Sequence, residues 1–281
     1  MDIKNIKYIA LDFDGTLLND DLEILPKTKE ALLKVQDKGI NLIVASGRPV
    51  EGIIKYAKEL KIDKHHGLII ASNGAIIYDC LEEKDIFENK FSAEEVKYIL
   101  EKLKKFEIYP FLVTETDLYV DNIESSTLET KSHLGKTNVI EWEASLGNYK
   151  VNEVGDLATY VNFPVYKINA SADPDYIDKH FKEFDKEISD VAYCARTLSF
   201  SLEFIKKGIS KGHALEKINA KPEEIIAFGD SMNDLEMMKY AKYGVAMKNA
   251  MPEVKDIAFE ITDSNNDEGI YKFLEKHGFL D

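Results

Sequence analysis

Short apolar segments alternate with amphipathic segments in the first and last parts of the chain. Each apolar segment is nearly continuous in hydrophobic character and is followed by small or polar residues. The four segments are Tyr8–Leu11, Leu42–Ala45, Leu68–Ala71 and Ile225–Phe228. Runs of this kind are typical of strands that are buried on both faces of a parallel sheet.

Helix signals lie between and after these predicted strands. Pro26 can begin a helix that Gly39 ends, and Pro49 can begin another. Later amphipathic segments are expected to end near Gly244 and at Gly278. Alternation of strand and helix implies right-handed βαβ units, so we predict an α/β fold with a doubly wound parallel sheet.

The middle of the chain has a different pattern. Ser92 and Glu95 form a capping box before an amphipathic helix, and Asp173 with Pro174 marks the start of another. Paired short strands are predicted around these helices. The sequence therefore predicts an α+β domain at 84–202, inserted into an α/β domain made of 1–83 and 203–281.

The composition narrows the class of protein. The chain has 281 residues, of which 44% are hydrophobic and 31% charged, and this balance argues against disorder. It carries 36 Lys and Arg against 51 Asp and Glu, a net charge of −15. Because phosphate backbones and anionic membranes repel such a surface, we expect neither nucleic acid nor a membrane as partner.

Targeting signals are likewise not evident. No apolar run approaches the roughly 20 residues of a membrane span, and the N-terminal sequence has no apolar signal core. We therefore expect a cytoplasmic protein. Cys80 and Cys194 are far apart in sequence, and we expect two free, buried thiols.

Candidate chemistry follows the predicted strands, because ligands of a parallel sheet collect beyond the carboxyl ends of its strands. The polar segments at these positions are Asp12-Phe13-Asp14-Gly15-Thr16, Ser46-Gly47-Arg48-Pro49, Ser72-Asn73-Gly74 and Gly229-Asp230-Ser231-Met232-Asn233-Asp234. Several acids are thus predicted to meet at one edge of the sheet.

Clustered carboxylates repel one another unless a cation lies between them. Oxygen ligands favour a hard divalent ion such as Mg²⁺. A carboxylate beside Mg²⁺ can attack a phosphoryl group and form an aspartyl-phosphate. Asp12 and Asp14 are two residues apart, so on an extended segment both point the same way, and one can attack while the other transfers the proton.

Each segment alone also has an ordinary interpretation. An Asp-x-Asp pair is usually a solvated turn, Ser-Gly-Arg-Pro is usually a strand-to-helix turn, and a lysine such as Lys211 is usually solvated. The order and placement of the segments together are far more specific.

Together the segments resemble the four motifs of haloacid dehalogenase-like (HAD) phosphatases. The matching motifs, in order, are Asp12-x-Asp14-Gly-Thr-Leu, Ser46-Gly-Arg48-Pro, Lys211-Gly and Gly229-Asp230-x-x-Asn233-Asp234. With the Asn73-Gly74-Ala75 segment and the segment from Gly244 to Ala250, the chain resembles the Cof-type subfamily, whose members carry a C2B cap. The resemblance covers essentially the whole chain, is loose within 84–195, and implies a HAD/Rossmann-like core.

The resemblance implies a role for each motif residue. Asp12 would be the nucleophile, and Asp14 would protonate the leaving alcohol and then activate water. The implied phosphate-binding residues are Ser46, Gly47, Lys211 and Asn233. The implied Mg²⁺ ligands are Asp12, Asp14 through its backbone carbonyl, Asp230 and Asp234. Whether Asp234 binds the ion or orients the site stays open, as does the choice between a substrate contact and a structural ion pair for Arg48.

We therefore expect a Mg²⁺-dependent phosphatase that hydrolyses small phosphorylated metabolites, with sugar phosphates as the favoured class. The alternatives are a phosphomutase or phosphotransferase with the same chemistry, a phosphorylatable signalling module, and a non-catalytic binder of phosphorylated metabolites. A closing cap would exclude water and help to select the substrate. The sequence does not predict the oligomeric state.

Overall fold

The computed structural model describes residues 5–132 and 134–281 and divides into two compact units. The core unit comprises Met1–Glu88 and Ile209–Asp281, and the inserted unit comprises Asn89–Gly208. The division falls a few residues after each predicted boundary of 84 and 202. At the first boundary, residues 84–88 form a strand that pairs with the preceding strand of the core sheet. Residues 1–4 of the predicted core segment lie outside the described residues.

The described residues contain strands β1 to β16. In chain order they are Tyr8–Asp12, Asn41–Ala45, Leu68–Ala71, Ile76–Asp79, Lys84–Glu88, Tyr109–Val113, Asp117–Val120, Thr127–Glu129, Lys136–Asn138, Lys150–Glu153, Lys167–Ser171, Ala192–Leu198, Ser201–Lys206, Ile225–Gly229, Tyr243–Ala246 and Glu260–Ile261.

The same residues contain α-helices α1 to α10. In chain order they are Pro26–Asp37, Val50–Glu59, Ala93–Leu103, Val139–Gly147, Leu157–Tyr160, Pro174–Ile188, Lys211–Lys217, Leu235–Tyr240, Pro252–Ile257 and Gly269–Lys276.

The core unit is built on an eight-stranded sheet with the order β16-β15-β14-β1-β2-β3-β4-β5. The strands from β16 to β3 run parallel, while β4 and β5 extend the sheet as antiparallel strands. The chain proceeds from β1 to one side through β2 and β3, and later occupies the other side through β14 to β16. This arrangement confirms the predicted doubly wound α/β fold and places a topological switch point between β1 and β14.

The four apolar segments form β1, β2, β3 and β14, as predicted, and their central residues are fully buried. The prediction around Gly244 was wrong. Helix α8 ends at Tyr240, and Gly244 lies inside the buried strand β15. A glycine within a four-residue apolar run looks like a helix terminator, whereas here a Cβ would lie 2.7 Å from the Met238 carbonyl oxygen, so close packing requires glycine.

The inserted unit contains a six-stranded sheet with the order β10-β7-β6-β11-β13-β12 and a separate hairpin of β8 and β9. Helices α3 and α6 contribute to an apolar cluster with one face of the larger sheet. The predicted capping box of α3 is confirmed, since Ser92 Oγ accepts a hydrogen bond from the Glu95 amide at 3.3 Å and Glu95 Oε2 accepts one from the Ser92 amide at 2.7 Å.

Both cysteines are free and buried, as predicted. Burial raises the pKa of Cys80 and of Cys194 to about 12. Neither thiol is therefore a ready nucleophile at neutral pH.

Candidate active site

Three loops meet at the carboxyl ends of the central strands of the core sheet. Strand β1 lies between β14 and β2, and all three run parallel. Asp12 is the last residue of β1, Ser46 follows β2, and Asp230 follows β14. Parallel strands thus deliver all three side chains to the same sheet edge, at the switch point.

Lys211 is the buried cation of this site. It is the first residue of α7, whose preceding residue Ser210 accepts the His213 amide at 3.0 Å and thereby caps the helix. Its ammonium group is fully buried and donates hydrogen bonds to Asp12 Oδ1 and, at 2.7 Å, to Asp234 Oδ1. Burial alone would lower the pKa of Lys211, but the attraction of the two carboxylates and their hydrogen bonds outweighs burial and raises it.

The glycine that follows Lys211 explains the Lys-Gly pair in the sequence. A Cβ at Gly212 would lie 2.5 Å from the backbone carbonyl carbon of Glu236 in α8. Helices α7 and α8 therefore approach so closely beside Lys211 that only glycine fits at this position.

Asp12, Asp230 and Asp234 form an acidic cluster in which one carboxylate oxygen from each lies within 4.8 Å of the others. Asp12 is 4% exposed, and its Oδ2 atom is buried without a hydrogen-bond partner. Burial raises the pKa of Asp12 well above its usual value, and the neighbouring carboxylates of Asp234 and Asp230 raise it further against the opposing effect of Lys211. Three carboxylates against one ammonium group leave excess negative charge, and an unpartnered oxygen in such a cluster suits a divalent cation.

The carboxylate of Asp234 is already occupied by protein donors. Its Oδ1 accepts from Lys211, and its Oδ2 accepts from the amides of Asp230 and Ser231, each at 3.0 Å. Asp230, in contrast, is half-buried, and its Oδ1 accepts a hydrogen bond from Thr16 Oγ1 at 3.0 Å. Asp234 therefore orients the lysine and the Asp230 loop, while Asp12 and Asp230 present oxygens for a ligand.

Asp14 lies outside this cluster and faces solvent. Its carboxylate accepts hydrogen bonds from Arg48 Nε at 2.9 Å and from Arg48 Nη2 at 2.5 Å, and the guanidinium also lies over the Phe13 ring at 5.1 Å. The Arg48 and Asp14 side chains are 34% and 46% exposed. In the described structure Arg48 is thus an ion-pair partner of Asp14.

A polar network joins the loops after β2, β3 and β14. Asn233 Nδ2 donates to Asn73 Oδ1 at 3.1 Å, and Ser231 Oγ donates to Asn233 Oδ1 at 2.7 Å. Ser46 is 2% exposed and its Oγ accepts the Arg48 amide at 3.1 Å. A Cβ at Gly47 would lie 3.2 Å from Asn73 Oδ1, so Gly47 also lies beside this network.

A model of the haloacid dehalogenase-like hydrolases matches residues 9–274. The chain belongs to this family. Relatives of this HAD hydrolase include the 5-amino-6-(5-phospho-D-ribitylamino)uracil phosphatase YitU of Bacillus subtilis, which is 28% identical over 96% of each chain.

Solved structures agree with this assignment. A haloacid dehalogenase-like hydrolase from Bacteroides thetaiotaomicron is 30% identical and superimposes with a TM-score of 0.79 over 97% of this chain and 99% of that one. TM0651 from Thermotoga maritima is also 30% identical, with a TM-score of 0.78 over 96% and 97% of the two chains. The HAD hydrolase described here is a phosphatase that acts on phosphorylated substrates.

Phosphatases of this superfamily typically use a divalent metal, which agrees with the acidic cluster. No helix among residues 5–132 and 134–281 combines the length and apolar character needed to cross a bilayer.

Two contributions to the site of this HAD phosphatase were missed from sequence. Thr16 belongs to the first motif, but its hydrogen bond to Asp230 joins residues 214 positions apart. Asn73 is in a polar segment that the sequence predicts at this sheet edge, but its left-handed backbone with φ of 57° and its link to Asn233 are not predicted. An asparagine beside a glycine after a strand was the available signal, since asparagine tolerates positive φ.

Proposed function

We propose that this phosphatase is a Mg²⁺-dependent phosphomonoesterase that hydrolyses small phosphorylated metabolites through an aspartyl-phosphate on Asp12. The observation that carries the proposal is the unequal environment of the Asp12 oxygens. Oδ1 accepts a hydrogen bond from Lys211, whereas Oδ2 is buried without a partner. A buried carboxylate oxygen is costly to leave unpaired, so an unpaired Oδ2 in the folded protein favours a functional role for this atom.

The residues that would hold Mg²⁺ are Asp12 and Asp230 through their carboxylates and Asp14 through its backbone carbonyl. Asp234 would act mainly by orienting this set, because both of its oxygens accept protein hydrogen bonds. A bound Mg²⁺ would offset the excess negative charge of the cluster and polarise the phosphoryl group.

Asp12 would attack phosphorus, and the bond to the leaving alcohol would break as Asp14 gives its proton to the departing oxygen. Asp14, now a carboxylate, would then take a proton from water as that water attacks the aspartyl-phosphate, which releases phosphate and restores Asp12. Ser46, the Gly47 backbone, Lys211 and Asn233 would donate hydrogen bonds to the phosphoryl oxygens.

Sugar phosphates and related polyol phosphates are the substrate class that we favour. YitU, one of the relatives, is named for a substrate whose phosphate is carried by a ribityl chain. Such substrates have poor alkoxide leaving groups, so they need the proton that Asp14 would supply.

The test is phosphate release from p-nitrophenyl phosphate and from a panel of sugar and polyol phosphates, with Mg²⁺ or with a chelator. We expect chelation and Asp12→Asn each to abolish release, while circular dichroism and the urea midpoint show a folded protein. Undiminished release by Asp12→Asn would overturn the mechanism. Isomerisation or transfer of the phosphoryl group without release of phosphate would favour a mutase or phosphotransferase.

A further inference from the structure

The segment Met247–Met251 follows β15 and contains an asparagine, Asn249, to which the proposed chemistry gives no role. Its backbone runs along the loop that carries Asp230. The Met247 amide donates to the Gly229 carbonyl at 3.1 Å, and the Met251 amide donates to the Asp230 carbonyl at 2.8 Å. The segment is therefore fixed against one of the acid-bearing loops.

Asn249 connects this segment to the other acid-bearing loop. Its Nδ2 donates to the Gly15 carbonyl at 2.7 Å, and its Oδ1 accepts the backbone amide of Asn265 at 3.2 Å. The side chain is exposed to solvent, yet it is held at both ends.

Asn265 holds the same loop three residues further along. It is 6% exposed, and its Nδ2 donates to the Leu18 carbonyl at 3.0 Å and to Asp20 Oδ1 at 3.2 Å. A buried amide that satisfies a backbone carbonyl is costly to remove. Two asparagines from the end of the chain thus bind the loop that follows β1.

The loop that they bind sets the direction of Asp14. It closes on itself through hydrogen bonds from Leu17 to the Asp12 carbonyl at 3.2 Å and from Leu18 to the Phe13 carbonyl at 3.0 Å. Gly15 adopts a left-handed φ of 81°, and a Cβ there would lie 2.8 Å from Asp230 Oδ2. The backbone on both sides of Asp14 is therefore fixed, although the carboxylate itself is half-exposed and is paired with the partly exposed side chain of Arg48.

We propose that Asn249 and Asn265 are positioning residues that hold the backbone around Asp14 so that its carboxyl group meets the oxygen of the leaving alcohol. The inference rests on the proposed function, because it takes Asp14 as the proton donor. In this proposal neither asparagine contacts the substrate. Their effect passes through the Gly15 and Leu18 carbonyls.

A displaced proton donor has a kinetic signature that general destabilisation lacks. Proton transfer matters most when the leaving group is basic and little when it is acidic, so loss of alignment steepens the dependence of kcat/KM on the leaving-group pKa. The parameter kcat/KM is appropriate because it reports the steps up to departure of the alcohol.

The experiment measures kcat/KM with Mg²⁺ for a series of ring-substituted phenyl phosphates, from p-nitrophenyl phosphate to phenyl phosphate. The enzymes are wild type, Asn249→Ala, Asn265→Ala and Asp14→Asn. The control is Gln36→Ala, which removes a side-chain hydrogen bond to a buried carbonyl, that of Leu60 at 2.8 Å, elsewhere in the core unit. Urea unfolding of every variant establishes that each is folded under assay conditions.

We expect Asp14→Asn to lower kcat/KM for phenyl phosphate by about 10²–10⁴-fold and Asn249→Ala by about tenfold, with losses of less than about threefold for p-nitrophenyl phosphate. Asn265→Ala should follow Asn249→Ala, and Gln36→Ala should keep the wild-type slope.

The inference would be overturned if Asp14→Asn steepens the dependence of kcat/KM on leaving-group pKa but Asn249→Ala keeps the wild-type slope. This holds whether or not Asn249→Ala lowers kcat/KM uniformly for all substrates. A slope unchanged by Asp14→Asn would instead overturn the proposed role of Asp14, and with it the inference.

Discussion

Two carboxylate–cation groups at the candidate site, Lys211 with Asp12 and Asp234 and Arg48 with Asp14, differ in burial and therefore in what they can do. The group of Lys211, Asp12 and Asp234 is shielded from solvent, since the lysine and Asp234 side chains are fully buried and Asp12 is nearly so. Arg48 with Asp14 is open, with about a third to a half of each side chain exposed. A buried group keeps its geometry because charge separation is costly there, whereas an exposed pair separates at little cost.

This difference in burial agrees with the catalytic role that we propose for the aspartate in each group. The proposed nucleophile must meet phosphorus in one geometry, and the buried lysine would hold Asp12 in that geometry. The proton donor must exchange its proton with the alcohol and then with water, and an exposed carboxylate can do so once Arg48 releases it. Burial would thus separate the roles that we propose for two aspartates only two residues apart.

Replacement of Lys211 should have the largest effect. In Lys211→Met, two buried carboxylates would face each other without a cation, so we expect a loss of about 3–5 kcal/mol in the free energy of unfolding and little Mg²⁺-dependent phosphatase activity. Urea unfolding and p-nitrophenyl phosphate hydrolysis measure the two effects.

The matched control for this change is Lys29→Met, which breaks the exposed pair between Lys29 and Glu59 in the same unit. It should cost less than about 1 kcal/mol and leave activity unchanged. The double variant with Asp12→Asn should regain part of the stability lost in Lys211→Met. Equal losses in the free energy of unfolding for Lys211→Met and Lys29→Met would refute the claimed difference between the buried and exposed groups.

Mg²⁺ should stabilise the folded protein through the buried Asp12 cluster, and the gain should depend on pH. The raised pKa of Asp12 means that the folded, metal-free protein binds a proton more tightly than the unfolded chain, and this contribution to stability is lost as pH rises through the raised pKa. Because protons and Mg²⁺ compete for the carboxylates, the gain from Mg²⁺ should grow as pH rises through the raised pKa of Asp12.

At a Mg²⁺ concentration a hundredfold above Kd, the expected gain is about 2.7 kcal/mol in the free energy of unfolding. Urea midpoints with and without Mg²⁺ measure it, and NaCl at equal ionic strength is the control. A gain that shrinks as pH rises would contradict the assignment of Asp12 to the cation site.

Replacement of Arg48 should have the smallest effect on stability. Arg48→Gln removes an exposed pair, so the free energy of unfolding should fall by less than about 1 kcal/mol. The measurement is again the urea midpoint, at low and high salt. A loss comparable to that of Lys211→Met would mean that the pair around Asp14 is as structural as the buried group.

The positions of the acids could be predicted because they depend on local pattern and topology. Short apolar runs identified β1, β2 and β14, and polar residues after such strands must meet at one edge. Asp12, Ser46 and Asp230 follow directly from this rule.

Contacts between distant loops could not be predicted in the same way. The hydrogen bond from Asn265 to Leu18 joins residues 247 positions apart and depends on the backbone of both loops. Likewise, sequence left Arg48 open between a substrate contact and an ion pair, because pairing with Asp14 depends on the side-chain directions of two exposed groups.

Helices without clear periodicity were also missed. Helix α4 has no strong polar face, and its beginning is marked chiefly by Asn138, whose Oδ1 accepts the Glu141 amide at 3.1 Å. The sequence predicts no element for the segment that contains it. Its place in the fold is set by packing of Ile140 against β6 and β7.

Chemical trapping of the phosphorylated enzyme tests the central claim most directly. Borohydride reduction of protein quenched during turnover with Mg²⁺ and substrate converts an aspartyl-phosphate to homoserine, which peptide mass spectrometry locates. We predict homoserine at Asp12, dependent on substrate and Mg²⁺, and none at Asp14, Asp230 or Asp234. Homoserine at another aspartate, or turnover with no modification at Asp12, would contradict the account.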